Sequence, residues 1–170
     1  MGLAVVGCVL GLCPSGMAQA AVSGARRLSF YNLHTRESLS TAFWQDGRLV
    51  SDALAEIDWH LRDFRTGEVR AIDPDLLDLL YQLRGTMQYD GPIHVISGYR
   101  SAKTNAMLAA RSGGVASNSY HVHGMAIDLR LPGRSLGAVQ RAALDLARGG
   151  VGFYPKSDFV HVDTGPVRRW

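Results

Sequence analysis

The chain has 170 residues, 46% of them hydrophobic and 19% charged, a balance that excludes a disordered polymer and fits one globular domain. Its formal charge is +3, too mild an excess to argue for nucleic acid as a partner. The two cysteines, Cys8 and Cys13, raise a disulfide or a thiolate metal site only until their positions are considered.

In chain order, the first segment stands apart from the fold. Met1 to Ala20 contains no Asp, Glu, Lys, Arg or His. An apolar run from Leu3 to Leu12 precedes Pro14-Ser15-Gly16 and Ala18-Gln19-Ala20, the order of an export signal with an A-x-A cleavage site. The basic residue that usually opens such a signal is missing. The run is shorter than the roughly 20 apolar residues of a membrane span, so no transmembrane segment is expected. The expectation is a removed signal over residues 1–20, a single domain over 21–170, and a periplasmic or otherwise exported location. Both cysteines leave with the signal, and with them the disulfide and thiolate-metal readings. Val5-Val6-Gly7-Cys8 resembles a lipobox, but only four residues precede it, which makes a lipid anchor at Cys8 the lesser alternative.

Leu28 to Leu33 alternates enough to predict a strand, and Gln45-Asp46-Gly47 between Leu39–Phe43 and Arg48–Val50 predicts a hairpin. Ser51-Asp52 is expected to cap a helix that carries Ala53, Leu54, Ile57 and Leu61 on one face. Asp73-Pro74 opens a second helix with Leu76, Leu77, Leu80 and Leu83. A short apolar strand, Ile93 to Ile96, leads to a helix from Ser101 to about Arg111 and then a Gly-Gly and Ser-Asn loop. A strand near Met125 to Leu129 follows, then an amphipathic helix from about Ser135 to Arg148 with Gly149-Gly150 as its C-cap. Strands near Gly152 to Tyr154 and Phe159 to Val162 close the chain. The pattern predicts an α+β domain with a small, largely antiparallel sheet on which the helices pack.

Two stretches concentrate chemistry: Ser119-Tyr120-His121-Val122-His123-Gly124-Met125-Ala126-Ile127-Asp128 and Asp158-Phe159-Val160-His161-Val162-Asp163. Imidazole and carboxylate are ordinary zinc ligands, and a catalytic zinc takes three protein ligands and leaves one position open. His121, Asp128 and His161 are the candidate set. His121 and Asp128 are seven positions apart, so an unbroken strand would point them to opposite faces, and Gly124 is the place to bend. A lone histidine on a strand is commonly a hydrogen-bonded structural residue; two clusters, each with a carboxylate, argue otherwise. A water attacking a carbonyl needs a base. Asp158 and Asp163 are the candidates: Asp163 shares the side of His161 along a strand, whereas Asp158 needs a turn to come round. Either can instead orient a histidine. Arg100, in Ser97-Gly98-Tyr99-Arg100-Ser101, offers a fork of donors for a carboxylate or a developing oxyanion, or is an exposed arginine beside an acid.

The stretch Ser119-x-His121-x-x-Gly124-x-Ala126-x-Asp128 resembles the signature of zinc peptidases of the bacterial cell wall. These are the D-Ala-D-Ala carboxypeptidases, VanX-like dipeptidases and murein endopeptidases, whose core the Hedgehog signalling domain shares. Ser97-Gly98-Tyr99-Arg100-Ser101, Thr104-Asn105 and Phe159-Val160-His161-Val162-Asp163-Thr164-Gly165-Pro166 are similar to the MepK (YcbK-like) murein endopeptidase branch, and the likeness runs from about Leu28 to Trp170. The resemblance implies that His121, Asp128 and His161 bind Zn2+ and that Arg100 steadies substrate and transition state. Many relatives carry Glu or Asp three residues before the last ligand, where Asp158 falls; others end in His-x-His, where this chain has His161-x-Asp163. His123 is not required by the pattern. The implied activity is hydrolysis of peptide cross-links in peptidoglycan, involving meso-diaminopimelate, by a monomer that meets stem peptides and no nucleic acid. The alternatives are a D,D-carboxypeptidase or dipeptidase on stem peptides, and an inactive zinc-containing module that binds the wall.

Overall fold

The computed structural model describes Met1, residues 24–111 and residues 118–170. Apart from Met1, the expected export signal with Cys8 and its cleavage site lies outside the described residues, as does the Gly-Gly part of the loop after the third helix.

β1 (Arg26–Asn32) buries Leu28 and Phe30 and pairs antiparallel with β2 (Ser38–Gln45). The hairpin from β2 to β3 (Arg48–Leu49) turns at Asp46 and Gly47, whose φ values of 49° and 84° are the pair a type I′ turn needs. α1 (Ser51–His60) buries Ala53 and Ile57 as the spacing predicts. Its N-cap is Val50, with no side-chain cap bond, rather than Ser51-Asp52: the Val50 amide is already tied to the Phe43 carbonyl, so the hairpin sets where the helix begins. α2 (Pro74–Thr86) starts where expected, with Asp73 accepting from the Asp75 amide. Leu76, Leu77, Leu79, Leu80 and Leu83 are all buried. Each fully buried leucine contributes roughly 1.5–3 kcal/mol of transfer free energy, which is what holds α2 on the sheet.

β4 (Ile93–Ser97) lies parallel to β1 and antiparallel to β5 (Ala126–Arg130), with α3 (Ala102–Arg111) between them in sequence. α4 (Leu136–Asp145) is capped by Ser135 and ends earlier than expected, because Ala147 takes the left-handed conformation (φ 49°) expected of Gly149. Gly149 and Gly150 serve a different need. A Cβ on Gly149 would collide with the Asp163 carbonyl, and one on Gly150 would stand 2.6 Å from the Asp163 carboxylate. β6 (Gly150–Tyr154) and β7 (Phe159–Asp163) pair antiparallel, and β8 (Arg168–Arg169), which no pattern announced, runs parallel to β6.

The domain is α+β as expected, but its sheet is not small. Among the described residues it has eight strands in the order β3-β2-β1-β4-β5-β7-β6-β8, mostly antiparallel, with parallel pairs at β1–β4 and β6–β8. α1, α2 and α4 contribute to one core with Leu28, Phe30, Val95, Ile127, Leu129, Val160 and Val162. Strand alternation then sends Asp128, Arg130, His161, Phe159 and Tyr154 to the opposite face, and a register shift between Val95 and Ser97 pairs Ser97 with Asp128. Among the described residues no helix is long and apolar enough to cross a membrane.

Candidate metal centre

The two histidines and the carboxylate meet on that open face. Asp128 on β5 and His161 on β7 are cross-strand partners. His121 comes from a 3-10 turn, Tyr120–His123, rather than from an extension of β5. Gly124 closes the turn at φ 71°, and a Cβ there would collide with the Ala71 carbonyl, so the expected bend is real and tightly enclosed. His121 Nε2 lies 3.2 Å from Asp128 Oδ1 and 3.2 Å from His161 Nδ1, and His161 Nδ1 lies 2.9 Å from Asp128 Oδ1. All three residues are buried, with one ligand atom from each inside a 4.8 Å cluster.

Both rings are oriented from behind. His121 donates its Nδ1–H to the Gly98 carbonyl at 2.7 Å, which leaves the Nε2 lone pair facing the cluster. His161 donates its Nε2–H to Asp163 Oδ2 at 3.0 Å and faces the cluster through Nδ1. Burial favours a neutral His161, yet the carboxylates of Asp128 and Asp163, one at each ring nitrogen, outweigh it and raise the pKa. Burial likewise pushes the Asp128 carboxyl up, but His121 and His161 hold it well below the ordinary carboxylate range. The donor set fits zinc: tetrahedral bonds of about 2.0–2.1 Å place ligand atoms about 3.3 Å apart, close to the spacings seen here.

Arg100 is buried beside this cluster and is not the exposed arginine of the alternative reading. Its Nη2 lies 3.4 Å from Asp128 Oδ2 and 3.4 Å from Ser97 Oγ, and its Nη1 lies 3.5 Å from Asn105 Oδ1. These contacts are long, and among the described residues the Nε is buried without a partner. Burial lowers the guanidinium pKa against the opposing pull of Asp128. Such loosely held donors are available to a ligand.

Asp163 does lie on the side of His161, but behind the ring and not beside the ligand atoms. Its two oxygens accept from His161, from the Gly150 and Gly165 amides and from both Nη atoms of Arg168. Burial would raise its pKa, but those bonds pull it well below the ordinary range. A fully buried carboxylate with this many donors is placed to orient His161, the other role open to it from the sequence. Asp158 has φ 54° and turns its side chain to the open face, where it pairs with Arg130. The turn it needed is present, but it does not touch the cluster and is largely exposed. His123 is exposed and meets Asn118 Oδ1 at 3.1 Å, away from the three.

The family model for the peptidoglycan L,D-endopeptidase MepK matches residues 20–170. The chain belongs to the MepK family. It is 43% identical over 171 residues to the peptidoglycan L,D-endopeptidase MepK of Escherichia coli strain K12, across 99% of this chain and 94% of that protein. Its identity to the probable peptidoglycan L,D-endopeptidase MepK of Haemophilus influenzae is 44% over 157 residues, 92% of this chain and 84% of that one. Sequence reading missed three parts of this MepK-family centre: the Gly98 carbonyl behind His121, Arg168 behind Asp163, and Trp170, whose ring lies 5.2 Å from that of His161. A backbone carbonyl has no sequence signal, and a two-residue strand has no periodicity.

Proposed function

We propose that the chain is an exported, zinc-dependent peptidoglycan endopeptidase that hydrolyses L,D peptide cross-links between stem peptides, including those of meso-diaminopimelate. The observation that carries this reading is the convergence of His121 Nε2, Asp128 Oδ1 and His161 Nδ1, each imidazole oriented from behind, in a chain of the MepK family. Zinc bound there acts as a Lewis acid on a carbonyl and acidifies water. Arg100 steadies the negative charge that develops on the carbonyl oxygen. Asp158 accepts the proton of the attacking water at a carboxylate oxygen and returns it to the departing amine. With Asp163 committed to His161 and Arg168, Asp158 is the acid of the expected pair that can still take this role, on exchanging Arg130 for substrate.

Cross-linked muropeptides given to the zinc-loaded protein test the reading. Dimers are expected to fall and monomers to rise, with activity lost on chelation and restored by zinc. Release of free D-Ala with intact dimers would point to a carboxypeptidase instead. Binding to sacculi without new amine ends would point to an inactive module. For the base, Asp158→Asn is expected to lower kcat by about 100-fold with zinc content unchanged. Unchanged turnover would remove Asp158 from the role.

A further inference from the structure

We propose that the Tyr154 hydroxyl, aimed by Trp170, is a second hydrogen-bond donor to the reacting carbonyl oxygen, which makes Tyr154 a catalytic residue. The inference rests on the endopeptidase reading and deepens its site. It begins with strand register. Ser97, Asp128, His161 and Gly152 form a row of cross-strand partners over β4, β5, β7 and β6, and Tyr154 lies two residues beyond Gly152 on the same face. Arg100 stands at the Ser97 end of this row, 3.4 Å from Ser97 Oγ. Tyr154 and Trp170 stand at the other end, so the two sets of donors bracket the ligand cluster.

The hydroxyl of Tyr154 is held in one role. Trp170 Nε1 lies 2.7 Å from it, and an indole N–H can only donate, so the phenol oxygen accepts there and keeps its own proton to give. Among the described residues no acceptor takes that proton. The Tyr154 ring is fixed by stacking on Phe159, with centroids 4.5 Å apart and planes at 21°. The indole that aims it is fixed as well. Trp170 N donates to the Val151 carbonyl at 3.2 Å, and Phe153 N donates to the Trp170 carbonyl at 3.1 Å. The Arg168 guanidinium lies 4.9 Å from the indole centroid while gripping Asp163. Gly152 leaves the space the indole occupies, since a Cβ there would stand 2.8 Å from both the Trp170 and the Tyr154 rings.

An indole that is 49% exposed, bonded to the Tyr154 hydroxyl and next to a candidate ligand imidazole, serves the open face more than the core. A donor aimed at a carbonyl oxygen strengthens its bond as that oxygen becomes an oxyanion, so its loss falls on kcat more than on KM.

The test uses the full zinc-loaded chain and cross-linked muropeptides. Tyr154→Phe keeps the stacking ring and removes the proton. It is expected to lower kcat about 100-fold, with KM and zinc stoichiometry within about twofold of wild type. A phosphinate analogue of the scissile bond is expected to bind about 100-fold more weakly to the variant, while the cleaved product peptide binds equally. Trp170→Phe, which keeps an aromatic wall but not the N–H, is expected to lose about tenfold in kcat for want of aim. A kcat within twofold of wild type in Tyr154→Phe, or a loss confined to KM or zinc content, overturns the inference while leaving the endopeptidase reading intact. A wild type that leaves cross-links uncut sinks both.

Discussion

His121→Ala and His161→Ala are each expected to lose zinc and to lower turnover at least about a thousandfold, whereas His123→Ala keeps both within about twofold. A catalytic zinc needs three protein ligands, and neither single replacement leaves three among the clustered atoms. The loss is not shared by a nearby histidine, because His123 is exposed and turned toward Asn118 on the far side of the same 3-10 turn. The measurement is metal content after dialysis, paired with turnover on cross-linked muropeptides. Zinc retained by His161→Ala, or lost equally by His123→Ala, would show that another set of atoms holds the metal. Folding is checked separately, since His121→Ala also strands the Gly98 carbonyl in a buried place.

Asp163→Ala is expected to weaken zinc affinity by about 10- to 100-fold and to destabilise the fold by about 3 kcal/mol. The first effect follows from the His161 Nε2–H, which without Asp163 no longer fixes the ring or its tautomer. The second follows from the Gly150 and Gly165 amides and the Arg168 guanidinium, which lose this shared acceptor together, Arg168 keeping only the Pro166 carbonyl. The lower end of the usual range for a broken buried pair applies because Arg168 is 38% exposed and can turn to water. Chelator competition reads the affinity and denaturant unfolding of the metal-free protein reads the stability. If both remain at wild-type values, Asp163 does not position His161. The contrast with Asp158→Asn, expected to spare zinc and lose turnover, separates positioning from proton transfer at two carboxylates five residues apart.

Much of the site was legible because its parts are local. Ser119-x-His121-x-x-Gly124-x-Ala126-x-Asp128 places two ligand types around a glycine, and Phe159-Val160-His161-Val162-Asp163 places the third on an alternating apolar strand. The Asp46-Gly47 turn and the Asp73-Pro74 helix start were equally readable, since each depends on the dihedral preferences of one or two residues. The placement of Asp158 and Asp163 relative to the His161 imidazole was not. Period-two alternation tells which face of a sheet a side chain takes, and it correctly put Asp163 on the face of His161. It cannot tell which nitrogen of a neighbouring imidazole the carboxylate will meet. That depended on Gly149, Gly150 and Arg168 closing around Asp163, residues brought there by β6 and β8.

The sequence by itself determined the candidate ligand types, their two clusters, the α+β class and the position of the bend at Gly124, because these follow from residue chemistry and short-range backbone preference. The tertiary structure alone decided the eight-stranded order with its parallel β1–β4 and β6–β8 pairs, the assignment of Asp163 to the back of His161, and the seating of Trp170 against Tyr154. Those features are contacts between strands far apart in the chain. Their free energy lies in register and close approach across the sheet, which no local pattern of residues encodes.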